Sequence, residues 1–362
     1  MKSLLRILRL ITFPLTLLSG LLLTLSALVP FIHPSYSTWL QLLGLAFPIL
    51  FLINVLWLFF WWFQLKFKLI VPLCFLIFNL IGASKYVQYT RDRKPPAQSM
   101  KVSTYNCMLF GAYQNGWFFD TIVSTLRNHG DDVVCLQEVY AKKDLENHIR
   151  SLRKNGGFKM YSLYRLTPDR PYGMAILSKY RILKSGRIDF PGNTGNMAMW
   201  ADVERGTDTL RIYNVHLQSI RFRKSDYDFV SQKNGTDYKK GSRNLLLRMR
   251  EAYEKRAAQA ERVAAHLKQC PYPVVLTGDF NDVPLSYAYR TVSKDLLDAF
   301  TEAGNGIERT YKGPFPSFRI DYILFSKNLG CTAYNSTLNI PGDHKFISAT
   351  LDLGKLPGSA KP

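Results

Sequence analysis

The sequence has few cysteines, and they are not arranged in pairs. Its five cysteines stand at positions 74, 107, 135, 270 and 331 of 362. They form no Cys-x-x-Cys motif and have no regular spacing, so neither a zinc site nor a disulfide framework is indicated. Cys107 and Cys135 lie in apolar, strand-like runs, where we expect buried thiols.

Acidic residues are almost absent from the first 98 positions. This region has nine Lys or Arg but a single acid, Asp92. The rest of the chain keeps 38 of the 47 basic residues and 26 of the 27 acidic ones, a formal charge of +12. A basic surface suits nucleic acid, phospholipid headgroups or phosphate esters, although many soluble proteins are basic without a specific partner.

Three apolar stretches fill the acid-poor region, at residues 11–32, 39–63 and 67–84. The first two have the roughly 20 residues that cross a bilayer. The third is shorter and contains Pro72 and Asn79, so it spans only if Lys68 and Lys85 reach the interfaces. A cleaved signal peptide explains the first stretch poorly, because two more follow it and no small-residue cleavage site is evident. We therefore predict a transmembrane region over residues 1–88 with about three helices.

Flanking charge predicts the orientation of these helices. Basic residues precede the first stretch (Lys2, Arg6 and Arg9), and Lys66 and Lys68 follow the second, whereas the loop over residues 30–38 has no Lys or Arg. The positive-inside rule then places the N-terminus in the cytoplasm. Three spans put everything after Ser84 on the extracytoplasmic side of an inner or plasma membrane; if the third stretch does not cross, that part is cytoplasmic.

A different pattern begins after a polar, Pro-containing linker at residues 89–100. Over residues 101–355, short β-branched and aromatic runs alternate with helical patterns, the longest over residues 245–268. We predict a mixed α/β sandwich here, with a site where strands end, and a tail at residues 356–362.

Polar side chains recur at the ends of six strand-like runs. They are Asn106, then Gln137 and Glu138, Asn214 and His216, Asp279 and Asn281, Asp321, and finally Asp343 with His344. Each has an ordinary explanation alone, such as a solvated strand end, an ion pair of Asp321 with Arg319, or an Asx-turn in "GDFND". Together they favour one site, and repeated carboxylates in one pocket need a cationic partner.

The order and the amino-acid sequences of these runs resemble those of the motifs of a known family. "TYNCMLF", "VVCLQEV", "GMAILSK", "YNVHLQ", "LTGDFNDVPLS", "RIDYILFS" and "GDHKFIS" are similar to motifs of the endonuclease/exonuclease/phosphatase superfamily. That superfamily includes DNase I, abasic-site exonucleases, neutral sphingomyelinases and inositol polyphosphate phosphatases. One departure is Gly342-Asp343-His344-Lys345-Phe346, where the family usually has Ser-Asp-His, a small residue and Pro.

The resemblance implies a four-layer αββα sandwich that hydrolyses phosphoesters with a divalent cation, usually Mg²⁺, with Mn²⁺ as a substitute. It implies no covalent enzyme intermediate. By the same resemblance, Glu138 is the principal metal ligand, with Asn106 and Asp343 near the metal. Asp279 orients or deprotonates the attacking water, Asn281 donates to phosphoryl oxygens, and His216 and His344 flank the phosphate. Asp321 orients one of the two histidines, and which one stays open.

The substrate is less determined. The longest insert, residues 219–244, mixes seven basic residues with four aromatic ones, which suits a nucleic-acid backbone, an anionic membrane, or simply a solvated loop. We consider a membrane-anchored phosphodiesterase acting on nucleic acid, the same machinery acting on a phospholipid headgroup or a phosphomonoester, and a non-catalytic receptor on this fold. The complete set of site residues argues against the receptor. We predict the lipid bilayer and a phosphoester as partners, and no protein partner.

Overall fold

The computed structural model describes residues 2–64, 67–91, 93–112, 117–167, 171–192, 194–220, 238–313 and 318–354. These residues form two compact units. Among them, the first unit takes residues from 2–87, 238–257 and 283–290, and the second takes residues from 88–220, 258–282 and 291–354. Residues 221–237 of the basic insert and the predicted tail lie outside the described residues.

The first unit is built mainly from apolar helices: α1 (Lys2–Leu28), α2 (Thr38–Phe63), α3 (Ile70–Phe78) and α4 (Leu80–Ala83). Two stretches, Leu10–Phe31 and Thr38–Phe63, are long and apolar enough to cross a membrane, judged by length and composition. The predicted third helix over 67–84 is interrupted at Asn79, whose backbone N–H caps α3. Its longest apolar helical run, Phe67–Phe78, is shorter than the other two.

Two six-stranded sheets form the centre of the second unit. Sheet A has the order β13-β14-β2-β3-β5-β4, and sheet B has the order β10-β12-β9-β8-β7-β6. Within each sheet one central pair is parallel, β2 with β3 and β8 with β9. A further small sheet pairs β1 with β11. The strands are β1 (Val87–Tyr89), β2 (Ser99–Asn106), β3 (Val133–Tyr140), β4 (Met160–Arg165), β5 (Tyr172–Ser178), β6 (Ile182–Ile188), β7 (Met197–Arg205), β8 (Asp208–His216), β9 (Val274–Asp279), β10 (Leu296–Asp298), β11 (Asn305–Ile307), β12 (Asp321–Ser326), β13 (Gly330–Thr337) and β14 (Phe346–Asp352).

The main core lies between the two sheets. Strand β3 shows why its sequence is a continuous apolar run: Val133 and Cys135 face the inter-sheet core, and Val134 and Leu136 face a second core. Successive side chains of a strand point to opposite faces, so a strand that is covered on both faces needs apolar residues at every position.

Helices cover the outer faces. Helices α5 (Phe119–His129) and α6 (Leu145–Asn155) pack on sheet A through the second core, and Gly130, with φ of 71°, ends α5 in the left-handed conformation. The C-terminal part of α7 (Tyr238–Lys268) contacts sheet B, where the Tyr213 hydroxyl lies 2.8 Å from His266 Nδ1. The remaining helices are α8 (Tyr287–Ser293) and α9 (Ala299–Ala303). The second unit is therefore the αββα sandwich that the sequence predicts.

The predicted linker is hydrogen-bonded to the sandwich. The backbone N–H of Thr90 donates to the carbonyl of Gly304, that of Arg93 to Thr332, and that of Leu353 to Gln98. Residues 99 and 100 already belong to β2.

Candidate active site

Three of the predicted site residues form a row across sheet B. His216 ends β8 opposite Asp279 of the parallel strand β9, and Asp321 begins β12 opposite the same Asp279. Residues that are paired in register lie side by side on one face of a sheet. The row therefore follows directly from strand pairing at the ends of three neighbouring strands.

Gly278 fixes the backbone just before this row. Its φ is 136°, and a Cβ at this position would lie 1.9 Å from the Val215 carbonyl oxygen of the adjacent strand. Only glycine is compatible with such an approach. The glycine of "GDFND" is thus required for β8 and β9 to pair tightly where His216 and Asp279 meet.

The Asp279 carboxylate lies at the centre of a buried hydrogen-bond network. Its Oδ1 accepts from the backbone N–H of Asn281 at 2.8 Å. Its Oδ2 accepts from the side-chain amides of Asn106 at 3.0 Å and Asn281 at 3.1 Å. Both histidines face the same oxygen, with Nε2 of His216 at 3.8 Å and Nε2 of His344 at 3.7 Å.

Asp321 orients His344. Both oxygens of Asp321 lie within hydrogen-bond distance of His344 Nδ1, at 3.0 and 3.1 Å. This contact fixes the ring so that Nε2 points toward Asp279. Asp321 is positioned in turn by Thr310, whose hydroxyl oxygen accepts the backbone N–H groups of Ile320 and Asp321.

Burial and charge shift the pKa values of this pair. Burial raises the pKa of Asp279 to about 6, an increase that the charge of His344 partly offsets. For His344, burial disfavours the charged ring, but Asp321 and Asp279 outweigh it and raise the pKa to about 10. At neutral pH the cluster therefore contains a protonated imidazole between two carboxylates.

Glu138 approaches the row from sheet A. Strand β3 has a bulge between Leu136 and Val139, and Glu138 within it has φ of 52°. Its Oε1 lies 3.7 Å from His216 Nε2, and its side chain is 27% exposed. Non-glycine residues with positive φ are strained and concentrate at functional sites, and Asn281 has the same φ of 52°.

A buried amide pair joins the two sheets beneath the site. Gln137 Nε2 donates to Asn214 Oδ1 at 2.6 Å, and Asn214 Nδ2 donates to the carbonyls of Leu136 and Ala175, both at 3.0 Å. Both residues are among the polar side chains that the sequence places at strand ends, but the sequence predicts no role for either. They hold the bulged end of β3 against β8, which brings Glu138 to His216.

A divalent cation fits the donor set on the open side of this cluster. Asp343 Oδ1 is buried without a hydrogen bond to the described residues and lies 3.9 Å from His344 Nε2. The carboxylates of Glu138 and Asp343 and the Asn106 amide oxygen, which has a second lone pair beyond its bond to the Met108 N–H, are hard oxygen donors. Asp279, Asp321 and His344 also lie close enough to share an ion, with ligand atoms within 4.8 Å of one another. In that second group the proton on His344 offsets one of the two carboxylate charges and Asp279 Oδ2 already accepts two amide hydrogen bonds, so the first set suits a cation better.

Tyr311 and Asn196 belong to the site, but sequence reasoning missed them. The Tyr311 ring meets His344 edge-on at 5.4 Å, and the two backbones form an isolated β-bridge. Asn196 Nδ2 donates to the Leu217 carbonyl at 2.7 Å, the same oxygen that accepts from Asn281. Neither residue lies in a motif, and only the three-dimensional fold brings them to the row.

The two cysteines near the motifs are core thiols. Cys107 and Cys135 are fully buried, and burial raises the pKa of Cys135 to about 12 and that of Cys107 well above its usual value. A thiolate is the reactive form, so neither residue supplies a nucleophile.

Comparison with known proteins agrees with this fold. The structure resembles an endonuclease/exonuclease/phosphatase from Bacteroides vulgatus, with 19% identity, a TM-score of 0.52, and 70% of this chain and 99% of that chain covered. It resembles another from Beutenbergia cavernae, with 18% identity, a TM-score of 0.53, and 71% of this chain and 72% of that chain covered. It also resembles the human Nocturnin catalytic domain with bound sulfate anion, with 18% identity, a TM-score of 0.52, and 72% of this chain and 98% of that chain covered. At these identities the likeness shows the fold alone. No curated protein matches the chain.

Two family models match the sequence. Residues 7–86 match a domain of unknown function (DUF8431). Residues 103–344, which include every site residue named above, match the Endonuclease/Exonuclease/phosphatase family. The chain therefore belongs to that family, whose members are hydrolases of phosphoester bonds and generally depend on a divalent metal.

Proposed function

We propose that this protein is a membrane-anchored, divalent-metal-dependent phosphodiesterase in which water attacks phosphorus in line. The observation that carries the proposal is the row His216–Asp279–Asp321, with His344 between the two aspartates and Glu138 beside His216. This cluster combines a base of near-neutral pKa, a fixed cation and oxygen ligands for a metal, as phosphoryl transfer requires.

Glu138, Asn106 and Asp343 would hold the cation, with Mg²⁺ favoured by their oxygen donors. A cation held there would supply neutralising charge for the phosphoryl oxygens and the leaving oxygen. Side chains of the protein activate the water and stabilise the remaining charge.

Asp279 is the residue that orients and deprotonates the attacking water. Its pKa of about 6 leaves it ionised but basic at neutral pH. Three hydrogen bonds from Asn106 and Asn281 fix both carboxylate oxygens, so the base cannot rotate away from the water. Asn281 Nδ2 also donates to the Leu217 carbonyl, so it must exchange one of these bonds to donate to a phosphoryl oxygen.

His344 supplies positive charge on the other side of the phosphate, and His216 flanks it. The charge of His344 is held in place by Asp321, and its Nε2 proton faces the centre of the site. A phosphodiester is an anion, and carboxylates alone would repel it. A preorganised imidazolium offsets that repulsion and stabilises charge that develops in the transition state.

Contacts within the first unit support three membrane spans. The segment from Phe67 to Ala83 runs beside α1 in the same direction, as a third span would: Lys68 lies over the Phe13 ring at 4.4 Å, and Asn79 Nδ2 donates to Thr24 Oγ1 at 3.3 Å. Near its end, Tyr86 stacks on Phe47 at 5.8 Å. The segment is about 25 Å long at 1.5 Å per residue, which suffices if Lys68 and Lys85 extend to the interfaces.

Further contacts in the same unit support an extracytoplasmic location for the chain after the linker. The loop between α1 and α2 contacts residues far along the sequence: Arg290 lies over the Phe31 ring at 4.2 Å, and His33 meets Tyr287 at 5.0 Å. The loop and these later residues must then lie on one side of the bilayer. The basic N-terminus favours the cytoplasm for itself and hence the opposite side for them.

The substrate class is tested with the full chain in detergent or nanodiscs. Plasmid DNA, single-stranded DNA, RNA, sphingomyelin and phosphoinositides are each incubated with Mg²⁺, Mn²⁺ or EDTA. We expect metal-dependent cleavage of nucleic acid, consistent with the positive charge of +12 after Gln98. Turnover of a lipid without nuclease activity would select the phospholipid alternative, which the apolar helices of the first unit favour.

Two variants link any activity to this site. Asp279→Ala and His344→Ala should each abolish turnover while the far-UV and near-UV circular dichroism spectra stay those of the parent. Unchanged activity in either variant would show that the site is wrongly assigned. An absence of metal-dependent hydrolysis of every phosphoester would contradict the enzyme proposal itself.

A further inference from the structure

A groove in the first unit has the chemistry of a lipid-headgroup site. It has a volume of about 340 Å³, within the range of small-molecule sites. One wall is the loop before α2 and the start of that helix, Ser35 to Trp39, and the other is α7. The α7 residues are Arg243, Leu246, Leu247 and Arg250.

The α7 wall presents two cations with apolar residues between them. Arg243 and Arg250 are both exposed and stand seven residues apart, which places them on one face of the helix about 10 Å apart. Leu246 and Leu247 fill the turn between them, and Leu247 is 54% exposed. Alternation of guanidinium groups and aliphatic side chains suits a ligand with an anionic end and an apolar end.

The opposite wall has the features of a membrane interface. Trp39 and Tyr36 are 67% and 81% exposed at the start of α2, one of the two helices long enough to span a bilayer. Exposed Trp and Tyr at helix ends concentrate at the headgroup level. The loop at residues 29–37 has no Lys, Arg, Asp or Glu, so positive charge at this level comes from other segments: Arg290 lies over the Phe31 ring, and Arg243 and Arg250 of α7 line the groove.

We propose that this groove binds the headgroup of an anionic phospholipid, with its phosphate between Arg243 and Arg250 and the start of its acyl chains on Leu246 and Leu247. Arg250 also pairs with Glu254 at 2.8 Å. The Arg250 side chain is 59% exposed and that of Glu254 38%, and solvent-accessible pairs contribute little, so a phosphate can displace the carboxylate. The proposal rests on the membrane anchoring proposed above, and it assigns the groove a ligand distinct from the substrate of the catalytic cluster.

The test uses the full chain in nanodiscs with equal amounts of phosphatidylglycerol and phosphatidylcholine, followed by native mass spectrometry of the lipids retained. We expect roughly tenfold preferential retention of phosphatidylglycerol, since two arginines attract the anionic headgroup. The double variant Arg243→Gln/Arg250→Gln should reduce the preference to less than about twofold. The matched control Lys255→Gln/Lys268→Gln removes two charges from the same helix outside the groove, the half-buried Lys255 that pairs with Glu251 and the exposed Lys268, and should keep the preference.

Other outcomes overturn the proposal in distinguishable ways. Equal retention of both lipids by the parent, or a preference that survives in Arg243→Gln/Arg250→Gln, contradicts the groove while leaving the anchor intact. Displacement of phosphatidylglycerol by millimolar glycerol phosphate would show that the site takes a soluble phosphate ester instead of a lipid. Release of the parent protein from membranes by alkaline carbonate would contradict the anchor and the groove together.

Discussion

Replacement of Asp321 by Asn should lower the pKa of His344, so that the ring loses its proton at a lower pH. Raising the pKa of that ring from 6.5 to about 10 corresponds to a net interaction on the order of 5 kcal/mol in favour of the protonated form. Asp321 is the largest contributor in that direction and, among the residues that the structure describes, the only carboxylate within hydrogen-bond distance of Nδ1. Since burial continues to oppose the charge, we expect the pKa of His344 in Asp321→Asn to fall to about 8 or lower.

The sign of the effect on activity follows from the raised pKa. In the parent the charged ring persists below pH 10 and is lost only as the pH rises through about 10. In the variant it is lost near pH 8, so at pH 9 the protonated fraction falls from about 90% to about 10%. The ratio of variant to parent activity should therefore fall about tenfold between pH 7 and pH 9. Below pH 6 both proteins lose activity as Asp279 becomes protonated.

Nuclear magnetic resonance of selectively labelled histidine measures the pKa directly, without metal or substrate. The chain has six histidines, and His344→Gln identifies the relevant resonance. An unchanged His344 pKa in Asp321→Asn would refute the role given to Asp321.

Three further substitutions test the framework of the site. Gly278→Ala should destabilise the sandwich by more than about 3 kcal/mol, because a Cβ at this position would lie 1.9 Å from the Val215 carbonyl oxygen. The control Gly206→Ala, where φ is 65° and a Cβ would have nothing within 4 Å, should cost about 1 kcal/mol. Equal losses of stability in thermal unfolding would contradict the close approach. Asn214→Ala removes one acceptor of Gln137, which keeps its bond to Thr104 Oγ1, and removes the amide donor to the buried carbonyls of Leu136 and Ala175. It should cost about 3 kcal/mol in urea unfolding, with an accompanying loss of activity as Glu138 shifts. A loss below about 1 kcal/mol would contradict the structural role. Asp279→Asn should lower kcat by about 10²–10⁴. The amide keeps an acceptor for Asn106 but turns an N–H donor toward the Asn281 backbone N–H, so we also expect a stability loss of about 1–3 kcal/mol. A drop confined to KM would exclude the role of base.

Much of the site could be predicted from the sequence because its residues stand at strand ends. Asp279 follows a short apolar run, and Asp321 begins another, so their proximity follows once β9 and β12 pair. The motifs predict the sandwich for the same reason, since periodic apolar runs indicate buried strands. The family match confirms this fold class.

Other features depend on contacts between residues far apart in sequence. The bulge that turns Glu138 toward His216 is held by Asn214 of another strand, and no local pattern marks it. The histidine that Asp321 orients is decided by strand pairing and the Thr310 contact. The break of the third apolar helix at Asn79 follows from a side chain that bonds both Phe75 and Thr24, which a hydropathy pattern does not contain.

The groove between the start of α2 and α7 shows the same limit. Ser35 to Trp39 and Arg243 to Arg250 are separated by about 200 residues. Each segment alone reads as an ordinary interfacial loop or a solvated basic helix. Only their packing within one unit creates the combined apolar and cationic surface.

The most direct test of the central claim is hydrolysis of bis(p-nitrophenyl) phosphate, a phosphodiester without sequence or headgroup. The full chain is measured with Mg²⁺, with EDTA, and with EDTA followed by excess Mg²⁺, alongside Asp279→Asn and Glu138→Gln. We predict that EDTA abolishes turnover by the parent and that Mg²⁺ restores it. Asp279→Asn should show no turnover at any metal concentration. Glu138→Gln should regain turnover only at a higher Mg²⁺ concentration than the parent needs. Turnover that is indifferent to EDTA, or equal in the parent and Asp279→Asn, would contradict a metal-dependent phosphodiesterase site at this cluster.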